Sequence, residues 1–187
     1  HEAGHCLMGY LLKHTEQPVK VSIIPRGESA LGYSQQKATN KKLMTKDEVL
    51  CRISVLLGGR SAEKIIYGNV STGASDDIEK ISILITNYTN SWGMNDTIGP
   101  LNPEVMGTIG KQLTSDIMVR CRDIVGDIEK QTIKLLTKHK RYVESIAKDL
   151  LLNETIDYEK IKSLIPVTLE NSQEITLVLR QSPRKNT

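Results

Sequence analysis

His1-Glu2-Ala3-Gly4-His5 is the stretch whose residue types and spacing could do chemistry. On a helix, positions i and i+4 lie one above the other, so His1 and His5 share a face. Two imidazoles placed this way can fill two positions around a tetrahedral zinc ion. Glu2 lies off that line. It can reach a water at the metal without being a ligand, as a general base must. The bland alternative is a helix that carries two histidines by accident. The intervening glutamate and the small Ala-Gly pair favour the metal. A third ligand is still required, and residues 1–13 do not supply it.

That ligand must come from elsewhere in the chain. The extended motif H-E-x-x-H-x-x-G-x-x-H fails, because its later positions fall on Met8 and Leu11. His14 is too far along the same helix. His139 lies in a distant basic stretch and reads as a solvated helix histidine. The remaining candidates are the carboxylates Glu48, Glu63, Asp76, Asp77 and Glu79. Glu48 is spoken for if Thr45-Lys46-Asp47-Glu48 is a capping box. Asp76, Asp77 and Glu79 follow a Gly-containing turn at a helix start, a rigid place from which to aim a carboxylate. Spacing favours the Asp76/Asp77 pair over Glu63 and leaves the choice within the pair open.

The elements that must position these groups are mostly helical. Residues 1–14 form the first helix. Residues 19–24 (VKVSII) alternate and are β-branched, which predicts a strand, and residues 31–35 a second that pairs with it. Residues 37–45 are polar and basic, and their lysines read as a solvated face. Helical periodicity returns at residues 45–67, where Gly58-Gly59 marks either a break or a close helix contact. Residues 70–75 form a turn, and Ser75 is a candidate N-cap for a helix ending near Trp92. Residues 93–110 read as a long loop. Helices follow at 113–137, 141–152 and 158–164, with a turn at 154–157. Glu174 to Leu179 (EITLVL) has strand character, and 181–187 reads as a disordered basic tail. The fold class is mainly α, with a small β element near the N-terminus.

Composition bounds the rest. Of 187 residues, 39% are hydrophobic and 25% charged, ordinary for a soluble globular domain. A net charge of +3 spread along the chain gives no nucleic-acid footprint. Phenylalanine is absent, so the core must be aliphatic. Cys6, Cys51 and Cys121 are widely spaced, which argues for reduced thiols rather than disulfides. Cys6 points about 100° away from His5 around the helix and reads as core. No apolar run is long enough to span a membrane. The chain opens on its first candidate ligand, without a start methionine, and reads as a fragment of a longer protein.

The segments HEAGH, VSIIPRG, LGY, LLGGRSAEKIIYG, STGASDDIEK, WGM and GPL occur in this order. Together they resemble the peptidase domain of the FtsH-type ATP-dependent zinc metalloproteases. The resemblance covers residues 1–165, an N-terminally truncated helical zinc metallopeptidase domain; 166–187 would be a C-terminal extension. It implies one Zn²⁺ per subunit on His1, His5 and Asp77, with Glu2 as catalytic base. Asp77 matches the aspartate of the family's TGASNDI-like motif. Asp76 stands where the family commonly has Asn, as a tolerated surface exchange or a carboxylate close to the ligand. Glu63 matches the GR-x-AE position, where an acid would orient a ligand histidine. The loop at 37–43 and the stretch after Pro100 depart from the family's usual sequence.

The resemblance further implies unfolded polypeptide substrates and a homo- or hetero-hexamer. It implies an ATPase module, absent from this chain, and membrane attachment only through a missing N-terminal part. The full-length protein would sit in a bacterial inner membrane or a mitochondrial or plastid membrane; this fragment would be soluble. A substrate peptide could dock by β-augmentation on the strand at 21–24 or at 31–35. Two rival expectations are a catalytically inactive assembly scaffold and a small metallohydrolase acting on non-peptide substrates.

Overall fold

The helix that carries the histidines, α1 (Glu2–Leu11), lies at the centre of the fold, with Ala3 through Leu11 all buried. A computed structural model of the chain describes residues 1–25, 32–37, 43–103, 105 and 111–166. α1 ends at Leu11 rather than His14, because the backbone turns extended at Leu12. The Thr15 hydroxyl lies 2.9 Å from the carbonyl oxygens of both Gly9 and Leu12 and shares its one proton between them.

α2 (Lys46–Tyr67) is the main neighbour of α1. Its start is the expected capping box: Thr45 accepts from the Glu48 amide, and the Glu48 carboxylate accepts from the Thr45 amide at 2.6 Å. Its end is Gly68, at φ 70°, whose N–H returns to the Lys64 carbonyl. The helix runs unbroken through Gly58-Gly59, which resolves the two readings of that pair in favour of close contact. A Cβ on Gly4 would stand 2.2 Å from the Gly58 carbonyl oxygen. The two backbones therefore approach closer than any side chain allows. Deeper in, the hydroxyls of Ser54 on α2 and Thr132 on α4 (Lys111–Lys138) are hydrogen bonded at 2.6 Å in the interior.

Among the described residues the sheet has three strands, and the third was unexpected. β1 (Pro18–Ser22) pairs antiparallel with β2 (Tyr33–Gln36) and, on its other side, with β3 (Thr155–Asp157). Residues 154–157, expected as a turn, thus close the sheet. The Ser22 and Thr155 hydroxyls lie 2.8 Å apart across the new pair. β1 is consequently central and cannot offer an edge to a peptide, contrary to expectation. Among the described residues, no strand pairs with the other edge of β2.

A 3-10 turn (Thr72–Ala74) leads into α3 (Ser75–Thr86), which passes through a π turn (Asn87–Ser91) to Trp92. Ser75 is not the N-cap. That position belongs to Ala74, and the capping side chain is Ser71, which accepts from the Gly73 amide one turn earlier. α4 gives way at His139 to α5 (Lys140–Asn153), and Asp157 caps the short α6 (Tyr158–Leu164). His139 is buried, not solvated, and stacks on Tyr142.

The core is aliphatic, as the missing phenylalanine requires. Leu7, Met8, Leu11, Ile53, Leu136 and Ile146 are fully buried, with Tyr10 and Tyr88 beside them. The three thiols are free, and Cys6 is wholly buried, which pushes its pKa far up. Among the described residues, no helix is long and apolar enough to cross a membrane. Residues 167–187, with the expected strand and tail, lie outside the described residues, as do Leu31 and residues 38–42 and 106–110.

Candidate metal centre

The helical spacing of His1 and His5 sets their rings edge to face, with centroids 4.7 Å apart and planes at 75°. Each ring is fixed from behind. His5 Nδ1 lies 2.8 Å from the Val55 carbonyl oxygen. A carbonyl only accepts, so Nδ1 carries the hydrogen and Nε2 is left with its lone pair. His1 Nδ1 lies 2.7 Å from Glu63 Oε1. Glu63 is itself gripped by Ser71, whose amide donates to Oε2 at 2.7 Å and whose hydroxyl donates to Oε1 at 3.0 Å. Burial is the largest influence on the Glu63 carboxyl and pushes its pKa up. The Ser71 amide, His1 and the Ser71 hydroxyl together outweigh it and hold the group below its ordinary range.

Both Nε2 atoms then face one atom of α3. Asp77 Oδ2 is 3.2 Å from His1 Nε2 and 3.1 Å from His5 Nε2. These three ligand atoms lie within 4.8 Å of one another. With both Nδ1 atoms donating rearward, three lone-pair atoms point at a shared space. Such an arrangement repels itself unless a cation stands between them, either a proton or a metal. The donor set fits Zn²⁺: two imidazoles and a carboxylate, each with a supporting hydrogen bond or helix terminus behind it. Asp77 occupies the first turn of α3, where the helix dipole favours a negative charge.

The electrostatics follow from that crowding. Burial is the largest single influence on His1 and opposes its protonation. Hydrogen bonds to Asp77 and Glu63, with the charges of Asp77 and Glu2, together overcome it and raise the pKa to about 9. Asp77 moves the opposite way. Burial pushes its pKa up, but its contacts with His1 and His5 leave it well below the carboxylate range. Glu2 is half-buried beside the pair. Burial raises its pKa, and the charges of His5 and His1 counter only part of the effect. The backbone of Gly32 packs directly against it: a Cβ there would stand 2.8 Å from Glu2 Cγ and 2.9 Å from Oε1. The chain leading into β2 therefore passes next to this carboxylate.

The remaining sequence candidates separate cleanly. Asp76 is on the surface, where it pairs with Lys80 at 2.5 Å, and it contacts none of the site residues. Of its two expected readings this matches the surface exchange and not the carboxylate close to the ligand: one step along a helix turns a side chain by about 100°. Glu48 serves the cap of α2. Glu63 lies behind His1 rather than among the converging atoms. Two contributors escaped the sequence reading. The Val55 carbonyl has no signature in residue type. Ser71 does carry a signal, as a capping residue before a Gly turn, but nothing local ties it to Glu63.

Residues 1–164 match the family model described as Peptidase family M41. The chain is 35% identical over 178 residues to the ATP-dependent zinc metalloprotease FtsH of Acaryochloris marina, covering 88% of this chain and 27% of that protein. The protein of the same name from Syntrophobacter fumaroxidans is 38% identical over 177 residues, covering 87% and 27%. An ATP-dependent zinc metalloprotease, FTSH 8, mitochondrial, from Oryza sativa subsp. japonica is 35% identical over 168 residues, covering 86% and 20%. The chain thus spans about a quarter of the length of these relatives. On the family match and on identities above 30% across most of its length, the chain belongs to peptidase family M41.

Proposed function

We propose that residues 1–165 are a zinc-dependent endopeptidase domain, with His1, His5 and Asp77 as metal ligands and Glu2 as general base. The observation that carries this reading is the convergence of three lone-pair atoms, two of them held in the ligating tautomer by Val55 and Glu63. Bound zinc would supply Lewis acidity toward the scissile carbonyl and toward the attacking water. Glu63 and Val55 hold the two rings so that Nε2 faces forward. Glu2 takes a proton from the attacking water and returns it to the leaving amine. Burial raises the pKa of Glu2, which makes its carboxylate a stronger base for taking that proton. The edge of β2 away from β1, entered past Gly32 and Glu2, is where an extended peptide would add as a further strand. Main-chain hydrogen bonds would then do most of the holding, which suits unfolded polypeptides of varied sequence.

The relatives' names extend the reading. Those names carry ATP dependence; the resemblance to the FtsH-type proteases adds a membrane-anchored hexamer, of which this domain would be the proteolytic part, with ATP binding and anchoring supplied by sequence outside these 187 residues. The test is Glu2→Gln in the zinc-loaded chain, assayed on casein. Removal of the base should slow cleavage by about 10²–10⁴-fold with zinc content unchanged. Cleavage at the parent rate would overturn the assignment.

A further inference from the structure

The Glu63 carboxylate has to hold one direction for His1 to present Nε2 forward, and Glu63 alone cannot guarantee this. Glutamate has three rotatable side-chain bonds, and its ordering costs entropy. Ser71 removes the freedom by binding both carboxylate oxygens at once. Its amide donates to Oε2 at 2.7 Å and its hydroxyl to Oε1 at 3.0 Å. The direction of that hydroxyl is also set, because its oxygen accepts from the Gly73 amide at 3.2 Å. The one proton of the hydroxyl is left for Glu63. Oε1, which receives it, is the same oxygen that accepts from His1 Nδ1 at 2.7 Å. A chain of hydrogen bonds therefore runs from the Gly73 amide through Ser71 and Glu63 to the back of His1. It joins the turn before α3, the helix bearing Asp77, to α1, which bears the histidines.

We propose that Ser71 is a positioning residue for the metal centre, acting on His1 through Glu63. The proposal rests on the zinc-ligand reading above and adds a residue to it. Outer partners of a ligating histidine are worth about 10–100-fold in metal affinity. Half of the Ser71 grip is the backbone amide, which every residue but proline retains. The hydroxyl should therefore account for the lower end of that range.

The experiment measures zinc affinity by competition with a chelating dye, in the full 187-residue chain. It compares the parent, Ser71→Ala, Ser71→Thr, Glu63→Ala and the Ser71→Ala/Glu63→Ala double variant, with folding checked by circular dichroism. Ser71→Ala should weaken zinc binding by about 10-fold, and Ser71→Thr, which keeps the hydroxyl, should stay within about threefold of the parent. In the Glu63→Ala background, Ser71→Ala should cost nothing further. A purely structural cap would not show that dependence. Parent-like affinity in Ser71→Ala, or an equal loss in both backgrounds, would overturn the role of Ser71 and leave the ligand assignment intact. A parent chain that binds no zinc would overturn the ligand assignment instead.

Discussion

Gly59→Ala separates the metal centre from the fold that holds it. A Cβ at position 59 would stand 2.5 Å from His1 Nε2 and 2.6 Å from Cδ2 and Cε1. Ordinary carbon contact lies near 3.5 Å, so the ring must retreat by about 1 Å. That retreat moves a ligand nitrogen away from Asp77 Oδ2, now 3.2 Å distant. Zinc affinity should fall by at least about 100-fold, the upper end of what losing an outer partner does. The helix itself gains, since alanine is favoured over glycine in a helix interior by about 1 kcal/mol. The obstructing group is a partly exposed side chain, not backbone. Above about pH 9, where the His1–Asp77 pairing no longer contributes, melting of the metal-free variant should therefore stay within about 4 °C of the parent. Gly4→Ala is the counterpart. There the new Cβ meets the Gly58 carbonyl at 2.2 Å, and two helix backbones must part. Overpacking of about 1–3 kcal/mol or more outweighs the propensity gain, and Tm should drop by roughly 4–8 °C. The measurements are dye-competition zinc affinity and thermal melts in chelator. Parent-like zinc affinity in Gly59→Ala would refute the reasoning, as would a metal-free Gly4→Ala chain as stable as the parent.

The metal-free protein should lose stability as pH rises. The pKa of His1 is raised from 6.5 to about 9, so its contribution is complete below 6.5 and disappears as pH passes through about 9. Asp77 is depressed, so its contribution is present above the ordinary carboxylate range and is lost as pH falls through and below it. Melts in chelator across pH 5–10 should show Tm declining from near neutrality upward; a flat profile would contradict the His1–Asp77 pairing. Asp77→Ala should abolish tight zinc binding, whereas Asp76→Ala should leave affinity unchanged and cost about 0.5 kcal/mol or less for its exposed pair with Lys80; calorimetric zinc titration of both variants distinguishes them. Thr132→Val strands the buried Ser54 hydroxyl and should cost about 1–3 kcal/mol in urea unfolding, with zinc affinity unaffected.

Much of the fold was legible because its signals are local. The capping box at Thr45-Glu48 and the glycine stop at Gly68 bound α2 as the sequence suggested. The break between α4 and α5 falls close to its expected place. What escaped is non-local. β3 is three residues long and becomes a strand only by pairing with β1, far away in the chain. The role of Gly58-Gly59 was ambiguous for the same reason: a glycine pair reads alike whether it breaks a helix or admits another. At the site, spacing alone could not choose between Asp76 and Asp77. The resemblance to the FtsH-type proteases pointed to Asp77, and the helical phase of α3 puts that carboxylate, not its neighbour, opposite the two histidines. The buried His139 was misread because its surrounding sequence is basic, while the helix junction that covers it is a tertiary feature.

The central claim concerns which atoms hold the metal. Crystals of the zinc-loaded chain, measured at the zinc absorption edge, give the most direct test. The account predicts one anomalous peak per chain, bonded at about 2.0–2.2 Å to Nε2 of His1, Nε2 of His5 and a carboxylate oxygen of Asp77. Glu63 should remain behind His1, outside the coordination sphere. A peak bonded to Glu63 or Asp76 in place of Asp77, or no peak between the two histidines, would contradict it.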